Sequence, residues 1–199
     1  MKIKIYGQKR TGTNLMEYIL QGAGHEVHVN SHGWKHGRIS ENILSKVDYV
    51  VICMRNPAAW LVSNRKHDDF IENANIAEER WTSVEDWAAR DASYFWWSKF
   101  RGIGECSVID TMQAITNPLR FWERLTEEGL VSGPMKLPTG KMDMGGNENQ
   151  SDTFDVDYYR NQEYLEKLTD EDWLSIEKSL IRHADLADVW GTWFNQVRR

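Results

Sequence analysis

Cations, hydroxyls and glycines are gathered in one short segment near the start of the chain. Its residues are Gly7, Lys9, Arg10, Thr11, Gly12, Thr13 and Asn14. An apolar stretch that predicts a strand precedes the segment, and an apolar run typical of a helix follows it. A loop between a strand and a helix turns backbone N–H groups toward an anion, and glycines let the backbone approach closely. The segment therefore predicts a phosphate-binding loop.

The residues of this loop favour a phosphate ligand that needs no metal ion. Gly7 and Gly12 have the spacing of a nucleoside-triphosphatase loop, but Thr13 stands in the place of its lysine. Asn14 stands in the place of the hydroxyl residue that binds Mg²⁺. A triphosphate bound here would lack the lysine that neutralises its phosphates, and its Mg²⁺ would lack the hydroxyl ligand from the protein. The alternative is a surface turn in which the charged residues occur by chance and bind no ligand.

A second basic site is predicted further along the chain. A nearly continuous apolar run over residues 47–54 predicts a buried parallel strand. Arg55 follows it, Pro57 suits the first turn of a helix, and Ser63 lies about two turns into that helix. Open α/β sheets bind ligands beyond the carboxyl ends of their strands. We therefore expect Arg55 beside the first loop, where its guanidinium can bind a phosphate.

Together, the two segments resemble the paired cofactor motifs of the sulfotransferases. In that family the first loop holds the 5′-phosphosulfate of 3′-phosphoadenosine 5′-phosphosulfate (PAPS), and an arginine and a serine hold the 3′-phosphate. The first motif usually reads basic residue, hydroxyl residue, glycine and two hydroxyl residues, and only Asn14 departs from it. The resemblance implies that the cofactor-binding residues are Lys9, Arg10, Thr11, Gly12, Thr13, Asn14, Arg55 and Ser63.

Strands that alternate with helices predict a parallel sheet, and the resemblance implies the rest of the fold. We expect one α/β domain over residues 1–199, with a mostly parallel central sheet flanked by helices in three layers, of the P-loop or sulfotransferase type. The implied reaction moves a sulfuryl group from PAPS to a hydroxyl acceptor, a saccharide or other small molecule. It leaves 3′-phosphoadenosine 5′-phosphate (PAP). A P-loop nucleotide kinase or other phosphotransferase, or an inactive nucleotide-binding protein of the same fold, are the alternatives.

Sulfuryl transfer needs a base for the proton of the acceptor hydroxyl, and histidine suits this task near neutral pH. His32 and His36 lie in one polar loop after the second predicted strand. Sulfotransferases commonly carry a basic residue and a histidine between their phosphate motifs, and Lys35 with His36 resembles that pair. His36 is the first candidate for the base and His32 the second. Arg10 is the candidate cation for the leaving phosphate.

Charge and composition narrow the expected partners. The formal net charge is −6, so the field of the protein does not favour nucleic acid. The chain has no recognisable signal peptide, no zinc-spaced Cys/His cluster and no apolar run of membrane-spanning length. We therefore expect a cytoplasmic protein with no membrane partner and no metal. Cys53 and Cys106 are expected to be reduced and buried.

Two segments supply hints about a lid and an acceptor. Residues 132–153 are irregular and contain glycines, which predicts a flexible lid loop. Earlier in the chain, aromatic residues cluster over positions 81–100. Tyr94, Trp97 and Phe100 share a face at helical spacing and are expected in the core. Trp96 points elsewhere, and could stack on a sugar or an aromatic acceptor if it is not itself packed in the core.

Overall fold

A sheet of parallel strands forms the centre of the protein. The computed structural model describes residues 1–39, 42–73, 83–100, 106–138, 140–142, 148–153 and 155–198. The strands of the sheet are β1 (Lys2–Gly7), β2 (Glu26–His28), β3 (Tyr49–Met54) and β4 (Cys106–Asp110), in the order β2-β1-β3-β4. Every pairing is parallel, so the carboxyl ends of the strands lie at one edge. The predicted α/β class with a parallel sheet is confirmed.

Helices cover both faces of this sheet. They are α1 (Thr13–Gly22), α2 (Pro57–Asn73), α3 (Val84–Phe100), α4 (Gln113–Thr116), α5 (Pro118–Glu127), α6 (Val156–Arg160), α7 (Asp170–Arg182) and α8 (Ala184–Val197). Side chains of α1 and α5 pack on one face, and those of α2, α3, α7 and α8 pack on the other. Short 3₁₀ turns lie at Ile43–Ser45 and Glu163–Lys167. The described part of the chain therefore has three layers.

The side chains of β3 explain why both faces must be covered. Val50 and Ile52 belong to the apolar cluster under α2 and α3, whereas Val51 and Cys53 belong to the cluster under α1. All 6 residues of β3 are buried. A parallel strand with helices on both faces needs apolar side chains at every position, which explains its continuous apolar run.

The strand order places a topological switch point between β1 and β3. The chain leaves β1 through α1 toward β2 on one side, and β3 lies on the other side. In open α/β sheets the crevice outside the carboxyl ends at such a point is the usual place for a ligand. The glycine loop after β1 and Arg55 after β3 both lie at this crevice.

The segment 132–153, predicted as an irregular lid loop, contains strands. β5 (Gly140–Met142) and β6 (Glu148–Thr153) pair antiparallel as a separate small sheet. Their residues have low strand propensity, so only the pairing of the two backbones reveals them. The function of this segment as a lid stays a prediction. Within the described residues, each helix is too short or too polar to cross a lipid bilayer.

A buried carboxylate connects the loop after β1 to α3. Asp91, on α3, is fully buried and accepts a hydrogen bond of 2.6 Å from Gln8 Nε2. The same amide nitrogen donates to the carbonyl of Trp87 at 2.8 Å. Burial raises the pKa of Asp91 from 3.8 to about 7 and outweighs the hydrogen bond from Gln8, which lowers it. The glycine loop is thereby held against α3.

We expect Asp91→Asn to remove a pH dependence of stability. The pKa is higher in the folded state, so the stabilising contribution of Asp91 is full below about pH 4 and is lost as the pH rises through about 7. The amide keeps an acceptor oxygen for Gln8 and stays neutral. The free energy of unfolding of the variant, relative to that of the parent, should therefore rise by a few kcal/mol between pH 5 and pH 8. Below pH 7 the rise is about 1.4 kcal/mol per pH unit. Urea unfolding measures this, and an equal advantage at both pH values would contradict it.

Candidate functional site

Two glycines determine the path of the loop between β1 and α1. A Cβ on Gly7 would lie 2.6 Å from Thr11 Oγ1 and 2.7 Å from the carbonyl oxygen of Cys53. Gly12 has a φ of 78°, and a Cβ there would lie 2.8 Å from Thr111 Oγ1. Among the described side chains none caps α1, whose N-cap is Gly12. The first N–H groups of α1 therefore keep hydrogen-bonding capacity for an anion.

Two buried lysines lie near the glycine loop, and one of them reaches the start of α1. Lys35 is buried and donates a hydrogen bond to Asn14 Oδ1. Burial lowers the pKa of Lys35, and the carboxylate of Glu17 partly offsets this effect. Lys9 is also buried, and its Nζ lies 5.9 Å from the centroid of the Trp34 ring. Lys35 thus brings a cation to the helix start, although the loop sequence has Thr13 instead of lysine.

The backbone of Gly7 connects the histidine loop to the glycine loop. Gly7 N donates to the carbonyl of Lys35 at 3.0 Å, and Gly7 O accepts from His36 Nδ1 at 2.7 Å. A carbonyl oxygen can only accept, so neutral His36 carries its proton on Nδ1 and has Nε2 as its acceptor nitrogen. This is the tautomer that a base acting through Nε2 requires.

Polar side chains support the histidine loop from two sides. From α3, Arg90 and Tyr94 each donate a hydrogen bond of 2.8 Å, to the carbonyls of His36 and Gly37. From β1, the fully buried Lys4 donates to the carbonyls of Val29 at 2.8 Å, Ser31 at 3.0 Å and Gly33 at 2.5 Å. Burial, with a smaller contribution from Lys35, lowers the pKa of Lys4 to about 8. Lys4 is thus a structural cation.

The second predicted motif contacts the first. Arg55 Nη1 donates to the carbonyl of Arg10 at 3.1 Å, and Arg10 Nε donates to Ser63 Oγ at 3.2 Å. Arg10 has a φ of 66°, which is uncommon for a residue with a side chain. Desolvation in the loop, followed by the charge of Arg55, lowers the pKa of Arg10. Two guanidinium groups therefore lie together where an anion would relieve their repulsion.

Arg55 has an unused donor and an aromatic neighbour. Its side chain is only 9% exposed, and its Nε has no hydrogen-bond partner among the described residues. Its guanidinium carbon lies 5.3 Å from the centroid of the Tyr159 ring on α6. The neighbouring Asn56 caps α2 by accepting from Ala59 N at 2.8 Å. Sequence reasoning missed Tyr159 because no local pattern relates it to Arg55.

The structure separates the two candidate bases. His36 is buried against Gly7, whereas His32 is exposed, with a φ of 62° and its ring centroid 5.1 Å from that of His28. Within the described ranges, His32 makes no hydrogen bond or ring contact with the glycine loop. The predicted first candidate therefore lies at the loop and the second does not. The role of His36 as a base stays a prediction.

The aromatic residues of α3 divide between core and surface. Tyr94 is fully buried and Trp96 is 53% exposed. Trp96 comes two residues after Tyr94, so it lies on a different face of α3 from the one that contacts the histidine loop. The side chains of Trp97 and Phe100 lie outside the described residues.

Neither a metal site among the described residues nor a similar known protein identifies the ligand of this site. No three His, Cys, Asp or Glu side chains in the described ranges come close enough to hold a metal ion. Comparisons with protein-family models, with curated proteins and with solved structures gave no match. The resemblance to sulfotransferases therefore depends on the residues of the two motifs.

Gly12→Ala should destabilise the fold more than Gly129→Ala. These glycines have φ values of 78° and 69°, so both substitutions share the strain of the left-handed region, about 1–2 kcal/mol. Only at Gly12 does the new Cβ also meet Thr111, which adds typically about 1–3 kcal/mol. Urea unfolding of both variants gives the difference. Equal losses would show that the contact with Thr111 does not restrict the loop.

Proposed function

We propose that the protein is a sulfotransferase that moves a sulfuryl group from PAPS to a hydroxyl acceptor. The observation that carries the proposal is the contact between the two motifs, in which Arg10 reaches Ser63 and Arg55 reaches the backbone of Arg10. PAPS carries a 5′-phosphosulfate and a 3′-phosphate on one ribose. A protein that binds it therefore needs two anion sites a short distance apart.

The residues present fit a ligand with two anionic groups. The N-terminus of α1 has no side-chain cap from the described part of the chain, so its first N–H groups can donate to one of these groups. The buried Nε of Arg55, which has no partner within the described residues, would gain an acceptor from the 3′-phosphate. Ser63 Oγ, which accepts a hydrogen bond from Arg10 Nε, would supply a further donor.

The chemistry follows from these positions. PAPS, when bound, supplies an activated sulfuryl group whose bond to the 5′-phosphate oxygen breaks as the acceptor oxygen forms a new S–O bond. His36 Nε2 takes the proton of the acceptor hydroxyl, and Gly7 O stabilises the resulting imidazolium through Nδ1–H. The N-terminus of α1 and Lys35 stabilise the charge on the 5′-phosphate side. Arg10 turns toward Ser63, so Lys35 is better placed than Arg10 for the leaving phosphate.

A P-loop phosphotransferase is the second candidate, and Lys35 is the observation that favours it. Its ammonium lies beside the first turn of α1, where it could replace the missing loop lysine. However, the same ammonium engages Asn14 Oδ1, and a cation there repels Mg²⁺. An inactive nucleotide-binding protein is the third candidate. Magnesium dependence and turnover distinguish the three.

Arg55→Ala should weaken the binding of PAP far more than that of adenosine 5′-phosphosulfate, which lacks the 3′-phosphate. Charge-assisted hydrogen bonds on that phosphate alone are worth about 1.5–3 kcal/mol, or roughly 10- to 150-fold in Kd. Isothermal titration calorimetry in buffer containing EDTA gives both affinities, because the proposed site needs no metal.

Two further variants serve as controls for Arg55. Arg120→Ala removes an exposed arginine that pairs with Glu123 and Glu127 on α5, and it should leave both affinities unchanged. Ser63→Ala should also weaken the binding of PAP more than that of adenosine 5′-phosphosulfate, but by a smaller factor than Arg55→Ala. Equal losses for both nucleotides would place Arg55 outside the 3′-phosphate site. Tighter binding of ATP with Mg²⁺ than of PAP would favour the phosphotransferase.

His36→Asn should keep PAP binding and lose turnover of PAPS by about 10²–10⁴-fold. The amide nitrogen can still donate to Gly7 O, so the loop contact survives, but the side chain has no basic nitrogen. Release of PAP in the presence of a hydroxyl acceptor measures the rate. His32→Ala is the control and should remain active. If His32→Ala is inactive and His36→Asn is not, His32 is the base.

A further inference from the structure

A cavity of about 290 Å³ lies at the carboxyl end of β4. Its lining includes Val108 and Asp110 from β4, Phe95 from α3 and Trp190 from α8. Val108 and Asp110 are two residues apart on one strand, so their side chains lie on the same face of the sheet, the one that α3 and α8 cover. None of the lining residues belongs to the two motifs at the glycine loop.

Three polar side chains of this cavity have unused hydrogen-bonding capacity. Asp110 accepts a hydrogen bond from Met112 N at 3.0 Å, and its other oxygen has no donor among the described residues. Trp190 is 5% exposed, and its indole Nε1 has no partner in the described part of the chain. The side-chain amide of Gln113 makes no hydrogen bond within the described ranges. A bound ligand would supply the partner that a buried indole N–H needs.

The charges around the cavity favour a neutral ligand. Burial raises the pKa of Asp110 to about 6, although the hydrogen bond from Met112 N and the charges of Arg55 and Arg124 lower it. Asp110 is therefore mostly ionised at neutral pH and repels a carboxylate or a phosphate. Arg124, which lines the cavity and donates to the carbonyl of Val108 at 2.8 Å, repels an ammonium group.

We propose that this cavity is a second binding site, whose ligand is a neutral carboxamide on an aromatic or aliphatic group. The N–H of the carboxamide donates to Asp110, and its carbonyl oxygen accepts from Trp190 Nε1. Gln113 has both a donor and an acceptor for the same group. The apolar side chains of Phe95 and Val108 contact the hydrocarbon part, and such a mixture of apolar walls and few polar groups is usual in small-molecule sites. The site is separate from the proposed nucleotide site and does not depend on sulfuryl transfer.

Titration with benzamide, followed by ligand-detected NMR, tests the inference. For a ligand of this small size we expect a Kd on the order of 1 mM. Benzoate and benzylamine have the same ring but carry a full negative or positive charge. Both should bind at least about tenfold more weakly than benzamide at neutral pH, because each meets a like charge in the cavity.

Two conservative variants test the residues. Asp110→Asn keeps an oxygen for Met112 N, so its NH₂ group faces the ligand donor, and benzamide should bind about tenfold more weakly. Trp190→Phe keeps an aromatic ring but loses the N–H, and should weaken benzamide several-fold. Trp34→Phe makes the same change at an indole outside the cavity and should leave the Kd unchanged. Urea unfolding shows whether each variant is folded.

The outcomes separate this site from the proposed nucleotide site. No binding of benzamide to the parent protein, or an unchanged Kd in both Asp110→Asn and Trp190→Phe, would overturn the inference. Tighter binding of benzoate or benzylamine than of benzamide would overturn the choice of a neutral ligand. This comparison uses the parent protein alone, so it holds even if a variant does not fold. Displacement of benzamide by PAP would make the cavity part of the nucleotide site and so overturn the claim of a second site.

Discussion

The lack of a side chain at Gly7 is the constraint on which the site depends. Any Cβ there would collide with Thr11 and with the carbonyl of Cys53 on the neighbouring strand. Because Gly7 has no side chain, its backbone lies close to the histidine loop. Its N–H donates to the carbonyl of Lys35, and its carbonyl accepts from His36 Nδ1. One residue thus joins the sheet, the glycine loop and the turn that carries the candidate base.

Around this residue, burial and like charge make the crevice attractive to anions. Lys4, Lys9, Lys35 and Arg55 are all buried. Lys4 donates to three carbonyls, whereas Arg55 has an Nε without a partner in the described part of the chain. Desolvation and neighbouring cations lower the pKa values of Lys4 and Arg10. An anion bound between the guanidinium groups of Arg10 and Arg55 would relieve the desolvation and the repulsion that lower the pKa of Arg10.

Local sequence patterns were sufficient to predict most elements and the meeting of the two motifs. The apolar run of β3 and Pro57 predicted where a strand ends and a helix begins, and parallel pairing then brings Arg55 to the loop. Contacts between distant segments could not be predicted, because no local pattern marks them. Thr111 meets Gly12 and Tyr159 meets Arg55 only through the packing of the elements that carry them. The hairpin of β5 and β6 depends in the same way on pairing rather than on propensity.

The position of Cys53 beside Gly7 has a consequence for thiol chemistry. Cys53 is fully buried, and burial raises its pKa far above the ordinary range of a thiol. Oxidants and alkylating reagents attack the thiolate, which is scarcely populated here. Its side chain lies in the cluster under α1, so the sulfur becomes reactive when α1, with the glycine loop that precedes it, moves away from the sheet. The rate at which Cys53 is alkylated therefore reports how often the loop opens, and a bound anion would slow it.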